Sequence, residues 1–257
     1  MANGIELGTS AISALKLGSS NVTSVYQGTN LIYPAGCQSP LISTTSLSAY
    51  YKLNGNLNGT VGPSPLLAVN GVSYTTGKFG DANGAAVFNG TTTYLSSSGL
   101  DSAYGGSGNN ISVMLWVYTT NLFDTDDVIN YFNQSTNVGW QVKLVGDGLS
   151  NSLEVRIAST TLTVASSIAA NTWTHIGFTY DNTAGGFKVY INGILRTSGG
   201  SAGMNTNGAI NGLRIGARST GSLTGSYYTG RMDDINIWQR ALTAGEVAIL
   251  ATDCPLT

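Results

Sequence analysis

Apolar and polar residues alternate with a period of two along much of this chain, in short runs broken by Gly, Asn, Ser and Thr. A period of two places successive side chains on opposite faces of a strand, so these runs predict half-buried β-strands joined by tight turns. Leu153-Glu-Val-Arg-Ile157 puts apolar residues on one face and charges on the other. Phe187-Lys-Val-Tyr-Ile191 alternates too and runs into Asn192-Gly193, the dipeptide best suited to the positive backbone angles of a two-residue hairpin turn. Ile111-Ser-Val-Met-Leu-Trp-Val117 is apolar on both faces, which predicts a central strand covered on both sides. One helix is expected. Thr243-Ala-Gly-Glu246 forms a capping box ahead of the apolar turn Val247-Ala-Ile-Leu250.

The first 34 residues carry a ten-residue repeat. Gly8, Gly18 and Gly28 occupy one position, each followed by Thr or Ser, with Ile5, Leu15 and Val25 three residues before and Ile12, Val22 and Ile32 four after. The glycines mark turns between β-prone flanks, giving a small β-meander. So few short strands are marginal alone in water; the module therefore either docks on a larger body or forms a flexible arm. The expected organisation is an anchoring module over 1–36, a Pro/Gly/Ser-rich linker over 37–46 and a large β domain over 47–257.

Composition narrows the function classes. Of 257 residues 34 are Gly, and charged residues make up only 9%, far below the usual quarter. No run of 18 apolar residues occurs, so no membrane-spanning helix is expected. A net charge of −2 with 11 Lys and Arg gives no electrostatic footprint for nucleic acid and no polybasic segment for anionic lipid. The start, Met1-Ala2-Asn3-Gly4-Ile5-Glu6, lacks the basic and apolar regions of an export signal. Two cysteines, Cys37 and Cys254, and a single His175 exclude a zinc-finger set and a Cys-rich scaffold.

Several segments, in order, resemble laminin-G-like (concanavalin-A-like) jelly-roll domains. Tyr50-Tyr51-Lys52-Leu53-Asn54-Gly55-Asn56 is similar to the opening strand of that family. Gly77-Lys78-Phe79-Gly80-Asp81-Ala82, Val87-Phe88-Asn89-Gly90 and Thr93-Tyr94-Leu95 are similar to its second stretch. Ile111 to Val117, Trp173-Thr174-His175-Ile176, Thr179-Tyr180-Asp181 and Val189-Tyr190-Ile191-Asn192-Gly193 follow. Ile215-Gly216, then Gly230-Arg231-Met232-Asp233-Asp234-Ile235-Asn236-Ile237-Trp238 with Arg240-Ala241-Leu242, resemble the closing signature. The matches cover about residues 47–251. They imply an all-β, antiparallel jelly-roll sandwich, in agreement with the alternating strands.

The resemblance also implies candidate chemistry. Some domains of this architecture are glycoside hydrolases, which need two carboxyl groups flanking the scissile bond. The nearest arrangement, Asp124-Thr-Asp126-Asp127, sits among turn residues and reads as a solvated acidic loop, and Glu6, Glu154 and Glu246 are far apart. His175 reads as a structural residue of a strand. The chain is therefore expected not to be an enzyme. Many relatives bind calcium near the opening strand and the closing Asp pair, which here are Asn54, Asn56, Asp233 and Asp234; Asn58 stands at a third such position. Asp233 shares strand parity with Ile235 and Ile237, so it is expected to point inward and to need a cation or hydrogen bonds there. Asn in place of Asp lowers the charge and affinity of such a site.

Glycan binding would use aromatic residues: Tyr131, Phe132 and Trp140 in one region, Tyr227 and Tyr228 in another, with core or subunit-interface packing as the alternative. In a jelly roll the first and last strands lie side by side, so Cys37 and Cys254 either form a disulfide, worth about 5 kcal/mol before strain on the chain-entropy model, or stay as two thiols. Laminin-G-like domains usually work outside cells, and the missing export signal points to a bacteriophage virion protein, a capsid decoration or fibre. On that reading residues 1–36 join other virion proteins, the assembly is a trimer and the sandwich meets host-surface glycans. The other reading is a carbohydrate-binding module of a secreted or cell-surface bacterial protein.

Overall fold

A computed structural model of the chain describes residues 42–252 apart from 63–64, 98–101, 106–109, 184, 201–202, 205–211 and 219–225, together with four short strands between residues 16 and 34. Those four are β1 (Lys16–Leu17), β2 (Ser20–Asn21), β3 (Ser24–Gln27) and β4 (Asn30–Pro34). β1 pairs with β2 and β3 with β4, both antiparallel. Each pair is separated in sequence by the Gly-Ser or Gly-Thr dipeptide of a repeat. Gly8, Cys37 and Cys254 lie outside the described residues, so the first repeat and the cysteine pair do too.

The main body is a two-sheet sandwich. Its elements are β5 (Leu47–Tyr51), β6 (Leu67–Val69), β7 (Ser73–Thr75), β8 (Ala85–Asn89), β9 (Tyr94–Ser96) and the single-turn α1 (Ser102–Gly105). There follow β10 (Ile111–Thr119), β11 (Thr125–Asn133), β12 (Val138–Gly146), β13 (Asn151–Ile157), β14 (Thr160–Ile168) and β15 (Thr174–Tyr180). The chain ends with β16 (Phe187–Ile191), β17 (Ile194–Gly199), β18 (Arg214–Ile215), β19 (Thr229–Trp238) and α2 (Ala244–Leu250). The first sheet runs β17-β16-β15-β10-β19-β8-β7, with β5 also paired to β19; the second runs β14-β13-β12-β11-β18-β9-β6.

Alternation decides which side chains fill the space between the sheets. Val113, Leu115 and Val117 of β10 meet Ile129, Trp140, Val142, Leu153, Val155 and Ile215 of the second sheet in one core. β13 is buried at every second residue, as Leu153-Glu-Val-Arg-Ile157 predicts. β10 is buried on both faces because a second apolar cluster covers the outer face of the first sheet: Met114, Tyr190 and Trp238 lie under Leu242, Val247 and Leu250 of the α2 region. α2 carries the predicted capping box. The Thr243 side chain accepts from the Glu246 N–H, and the Glu246 carboxylate accepts from the Thr243 N–H at 2.8 Å. Arg240 braces it through both guanidinium NH2 groups on Glu246, at 2.6 and 2.9 Å. Packing also reaches back before Leu47: Ile42 is buried in the outer cluster, and Arg240 donates to the Ser43 and Thr45 carbonyls. The β16–β17 hairpin turns at Asn192 (φ 50°) and Gly193 (φ 75°), as that dipeptide requires.

Two expectations are corrected here. Thr125–Asp127 is not a solvated loop but the start of β11, and Asp126 and Asp127 are both buried; only Asp124 is exposed. The turn residues around Asp124 hid the strand that begins after them. Asp233 does not point into the sandwich. Opposite Leu115, β19 carries two residues, Asp234 and Ile235, against one, and Asp234 takes the left-handed φ of 55°. This β-bulge shifts the parity of everything before it. Met232 and Ile235 thus both face the core, and Asp233 stands opposite Trp116 on the outer face.

Candidate functional site

Two places on the sandwich gather polar side chains that its core packing does not explain. The first lies on the outer face of the first sheet, beside the bulge. A pocket of about 210 Å³ is lined by Lys52, Asn54, Phe79, Asp81, Asp233 and Asp234. The segment 77–84 folds over it so tightly that a Cβ at Gly77 or Gly84 would strike the Asp81 carboxylate. Asp233 accepts from the Lys78 N–H at 2.8 Å, and Asp234 accepts from the Tyr50 hydroxyl. Burial pushes the Asp233 carboxyl up to about 8, with the Lys78 N–H opposing and Asp234 and Asp81 adding to the rise. Burial and the Asp234 charge raise the Tyr50 phenol as well. The Lys78 ammonium lies 4.5 Å from the centre of the Trp116 ring.

The donor set suits a hard, oxygen-seeking cation: three carboxylates and the Asn54 amide, with Asp81 Oδ1 buried and without a hydrogen-bond partner. Convergence is another matter. Among the described residues no three acidic, His or Cys side chains are grouped to hold one ion, since Asp233 and Asp234 turn to different protein donors. Asn56 plays no part in this pocket. It is exposed, and its side chain accepts from the Asn58 N–H and donates to the Asn54 carbonyl, closing a local turn. Asp81, Phe79 and Lys52 escaped notice as site residues in the sequence. Asp81 sat inside a recognisable stretch, but nothing in the sequence ties it to a residue 152 positions away.

The second place is the outer face of the second sheet. Leu95, Ile129, Val142 and Ile215 point into the core, so their strand neighbours Tyr94, Asn130, Gln141 and Arg214 point out. Asp127 is fully buried there; it pairs with Arg218 at 3.2 Å and accepts from the Gln141 amide. Burial raises its pKa, and the Arg218 and Lys143 charges oppose the rise. Asn130 donates to the Ala217 carbonyl at 2.6 Å, while its own Oδ1 is buried without a partner. Beside them the Arg214 guanidinium lies 5.1 Å from the Tyr94 ring centre and donates to the Arg218 carbonyl. The Tyr94 and Tyr227 rings are 6.4 Å apart and tilted by 44°.

Of the aromatic candidates, only Tyr227 stays at the surface. Tyr131, Trp140 and Tyr228 are core residues. Tyr131 and Trp140 stand directly opposite one another on β11 and β12 with both rings inward, and the Trp140 N–H donates to the Tyr104 carbonyl at 2.7 Å. The sequence pattern groups them in one loop region, whereas they lie on the adjacent strands β11 and β12. Phe132 faces outward but is buried beneath the Arg156 guanidinium, 4.9 Å away. His175 is buried against Trp116, and burial drops its pKa to about 3, so it is a neutral packing residue at ordinary pH.

Residues 88–248 match the family model described as the concanavalin A-like lectin/glucanases superfamily. The chain belongs to this superfamily. Among solved structures, this superfamily member is similar to domain 4 of AbnA, a GH43 extracellular arabinanase from Geobacillus stearothermophilus, in complex with arabinotriose. The two share 26% identity with a TM-score of 0.62, over 80% of this chain and 98% of that domain. The botulinum neurotoxin type G receptor binding domain matches with a TM-score of 0.58 and 19% identity, over 80% of this chain and 51% of that one, a likeness of fold alone. Adhesion G-protein coupled receptor D1 of Homo sapiens is 32% identical over 122 residues, 48% of this chain and 14% of the receptor. A sushi, von Willebrand factor type A, EGF and pentraxin domain-containing protein of Mus musculus is 31% identical over 101 residues, 37% of this chain and 3% of that protein. The chain thus spans a small part of the curated relatives it matches. Among the described residues no helix is long and apolar enough to cross a membrane.

Proposed function

We propose that this chain is a non-catalytic carbohydrate-binding module working outside the cell. The observation that carries the reading is its likeness over nearly the whole length of an arabinanase domain whose structure holds arabinotriose. Two features of the chain support it. Tyr94 and Tyr227 offer half-exposed aromatic faces beside planar polar side chains, the mixture that suits sugar rings and their hydroxyls. Asp126 and Asp127 are successive residues of β11 paired with Leu144 and Lys143. They therefore point to opposite faces of the sheet and cannot flank one glycosidic bond. The virion reading rests on the missing export signal and the N-terminal repeat, and the relatives favour the secreted or surface module over it.

The test is calorimetric titration of the full chain with arabinotriose and a panel of neutral and acidic oligosaccharides, alongside a hydrolysis assay on the same sugars. Saturable binding without product supports the proposal; hydrolysis abolished by Asp126→Asn would overturn its non-catalytic part, and binding to no glycan its binding part. Calcium belongs to the same reading. Asp81 and Asp233, with Asn54 beside them, would hold the ion, which would supply counter-charge to carboxyls crowded by burial. Millimolar calcium should then raise Tm relative to EDTA, and Asp81→Asn should abolish the rise.

A further inference from the structure

We propose that the saccharide lies across the outer face of the second sheet, its ring against Tyr227 and Tyr94 and its hydroxyls on Arg218 and Asn130. This rests on the carbohydrate-binding reading above and deepens it by naming the site and the kind of sugar. Three observations carry it.

The outer face of a sheet is normally solvated, yet here Asp127, Asn130 and Gln141 are all withdrawn from water. Withdrawing such groups is costly unless every one is hydrogen-bonded. Asp127 and Gln141 satisfy each other and Arg218. Asn130 Oδ1 is left without a donor. A hydroxyl supplies what that carbonyl oxygen lacks.

The donors are in place as well. The Arg218 side chain is 32% exposed and held through Nε by Asp127. Its two NH2 groups make no hydrogen bond to a described residue and are planar, which suits a pair of neighbouring oxygens. Because the Asp127 carboxylate already offsets the Arg218 charge, and the Arg214 guanidinium is turned to the Tyr94 ring and the Arg218 carbonyl, the site answers to dipolar hydroxyls rather than to an anion. The predicted ligand is a neutral saccharide with adjacent free hydroxyls.

The third observation is position. Tyr227 is bridged to Asp127 in the backbone of the sheet, and the Tyr94 ring next to it is backed by Arg214. The aromatic faces and the polar groups therefore sit on neighbouring strands and reach one sugar unit and the next. Backing by sheet hydrogen bonds and a guanidinium stack fixes the tyrosines before binding, which lowers the ordering cost of association.

The experiment titrates neutral arabino-oligosaccharides, and trigalacturonate as an acidic comparison, into the full chain and three variants. Tyr227→Ala should weaken binding of the neutral sugar about tenfold or more. Tyr227→Phe, which keeps the ring, should stay within about threefold of the parent. Tyr118→Ala, on the outer face of the other sheet, should leave affinity unchanged; all variants are checked for parental Tm. Unweakened binding in Tyr227→Ala, or loss in Tyr118→Ala, overturns the location while leaving the carbohydrate-binding function standing. Tighter binding of trigalacturonate than of neutral sugars overturns the ligand class. Failure of the parent protein to bind any glycan takes down both.

Discussion

Asp126→Asn is expected to flatten the pH dependence of stability between about pH 4 and pH 7. The Asp126 carboxyl is 3% exposed at the start of β11 and accepts from the Thr229 N–H at 3.2 Å. Burial pushes its pKa up to about 7 from the ordinary 3.8, the Thr229 N–H opposing and the Asp124 and Asp127 charges adding to the rise. Between those two values the folded chain keeps a proton that the unfolded chain has released. Stability therefore falls as pH rises through that window and levels off above about 7. At about 1.4 kcal/mol per pH unit of difference, ionisation costs the fold about 1.5 kcal/mol at pH 5 and about 4 kcal/mol at pH 9. The parent should thus lose about 2–3 kcal/mol from this group between pH 5 and pH 9. Asn keeps an acceptor for Thr229, and any cost of its extra N–H is the same at every pH. Urea unfolding of both proteins at pH 5, 7 and 9, in EDTA, gives the two slopes. Asp233, raised to about 8, tilts both curves alike and cancels in the comparison. Parallel curves for the two proteins would refute the argument, because a carboxyl hydrated in the folded state would carry no such slope.

Other expectations follow from the packing. Trp140→Ala should cost about 3–5 kcal/mol in urea unfolding, since the ring fills the space between the sheets against Tyr131 and Phe178; a loss under 1 kcal/mol would mean that the ring is not core. Glu246→Ala removes one half of the capping box and both Arg240 bonds, and should cost about 1–2 kcal/mol. Arg240 and the Thr243 donors hold Glu246 down to about 2, so its contribution is present above its usual 4.5 and lost as pH falls toward 2; the variant should lack that acid limb of the stability curve. Gly193→Val forces a β-branched residue into φ 75° against Ala248 of α2 and should cost about 2 kcal/mol or more, read as a lowered Tm.

Strand periodicity, the Asn192-Gly193 turn and the Thr243–Glu246 box were each legible because their physics is local. A two-residue period, a pair of positive φ angles and a cap within one helical turn involve only neighbours in sequence. Hence the all-β class, the central place of Ile111–Val117 and the capped C-terminal helix could be read from local pattern, while the sandwich was what the resemblance to laminin-G-like domains implied. The facing of side chains could not be read wherever the ladder breaks rhythm. One bulged residue, Asp234, turned Asp233 from the core to the outer face, and no local signal marks which Asp of an Asp-Asp pair takes the left-handed backbone angle.

The same limit separates the candidate sites. Asp124, Asp126 and Asp127 share a stretch of four residues, yet tertiary packing sends one to solvent, one toward Thr229 and one to Arg218. Tyr131, Trp140 and Tyr228 carried the composition of a sugar platform and became core, the first two because strand pairing aimed them between the sheets and Tyr228 from the position just ahead of β19. Tyr94, Asn130, Arg214 and Arg218 were passed over, although the alternation Leu213-Arg-Ile215 already marks Arg214 as outward-facing. Sequence determined that the chain alternates and therefore must bury one face of each strand, since that alternation is a property of the chain itself. Only the tertiary structure decided which polar residues meet, because β9, β11, β12 and β18 become neighbours through a sheet order that no local pattern encodes.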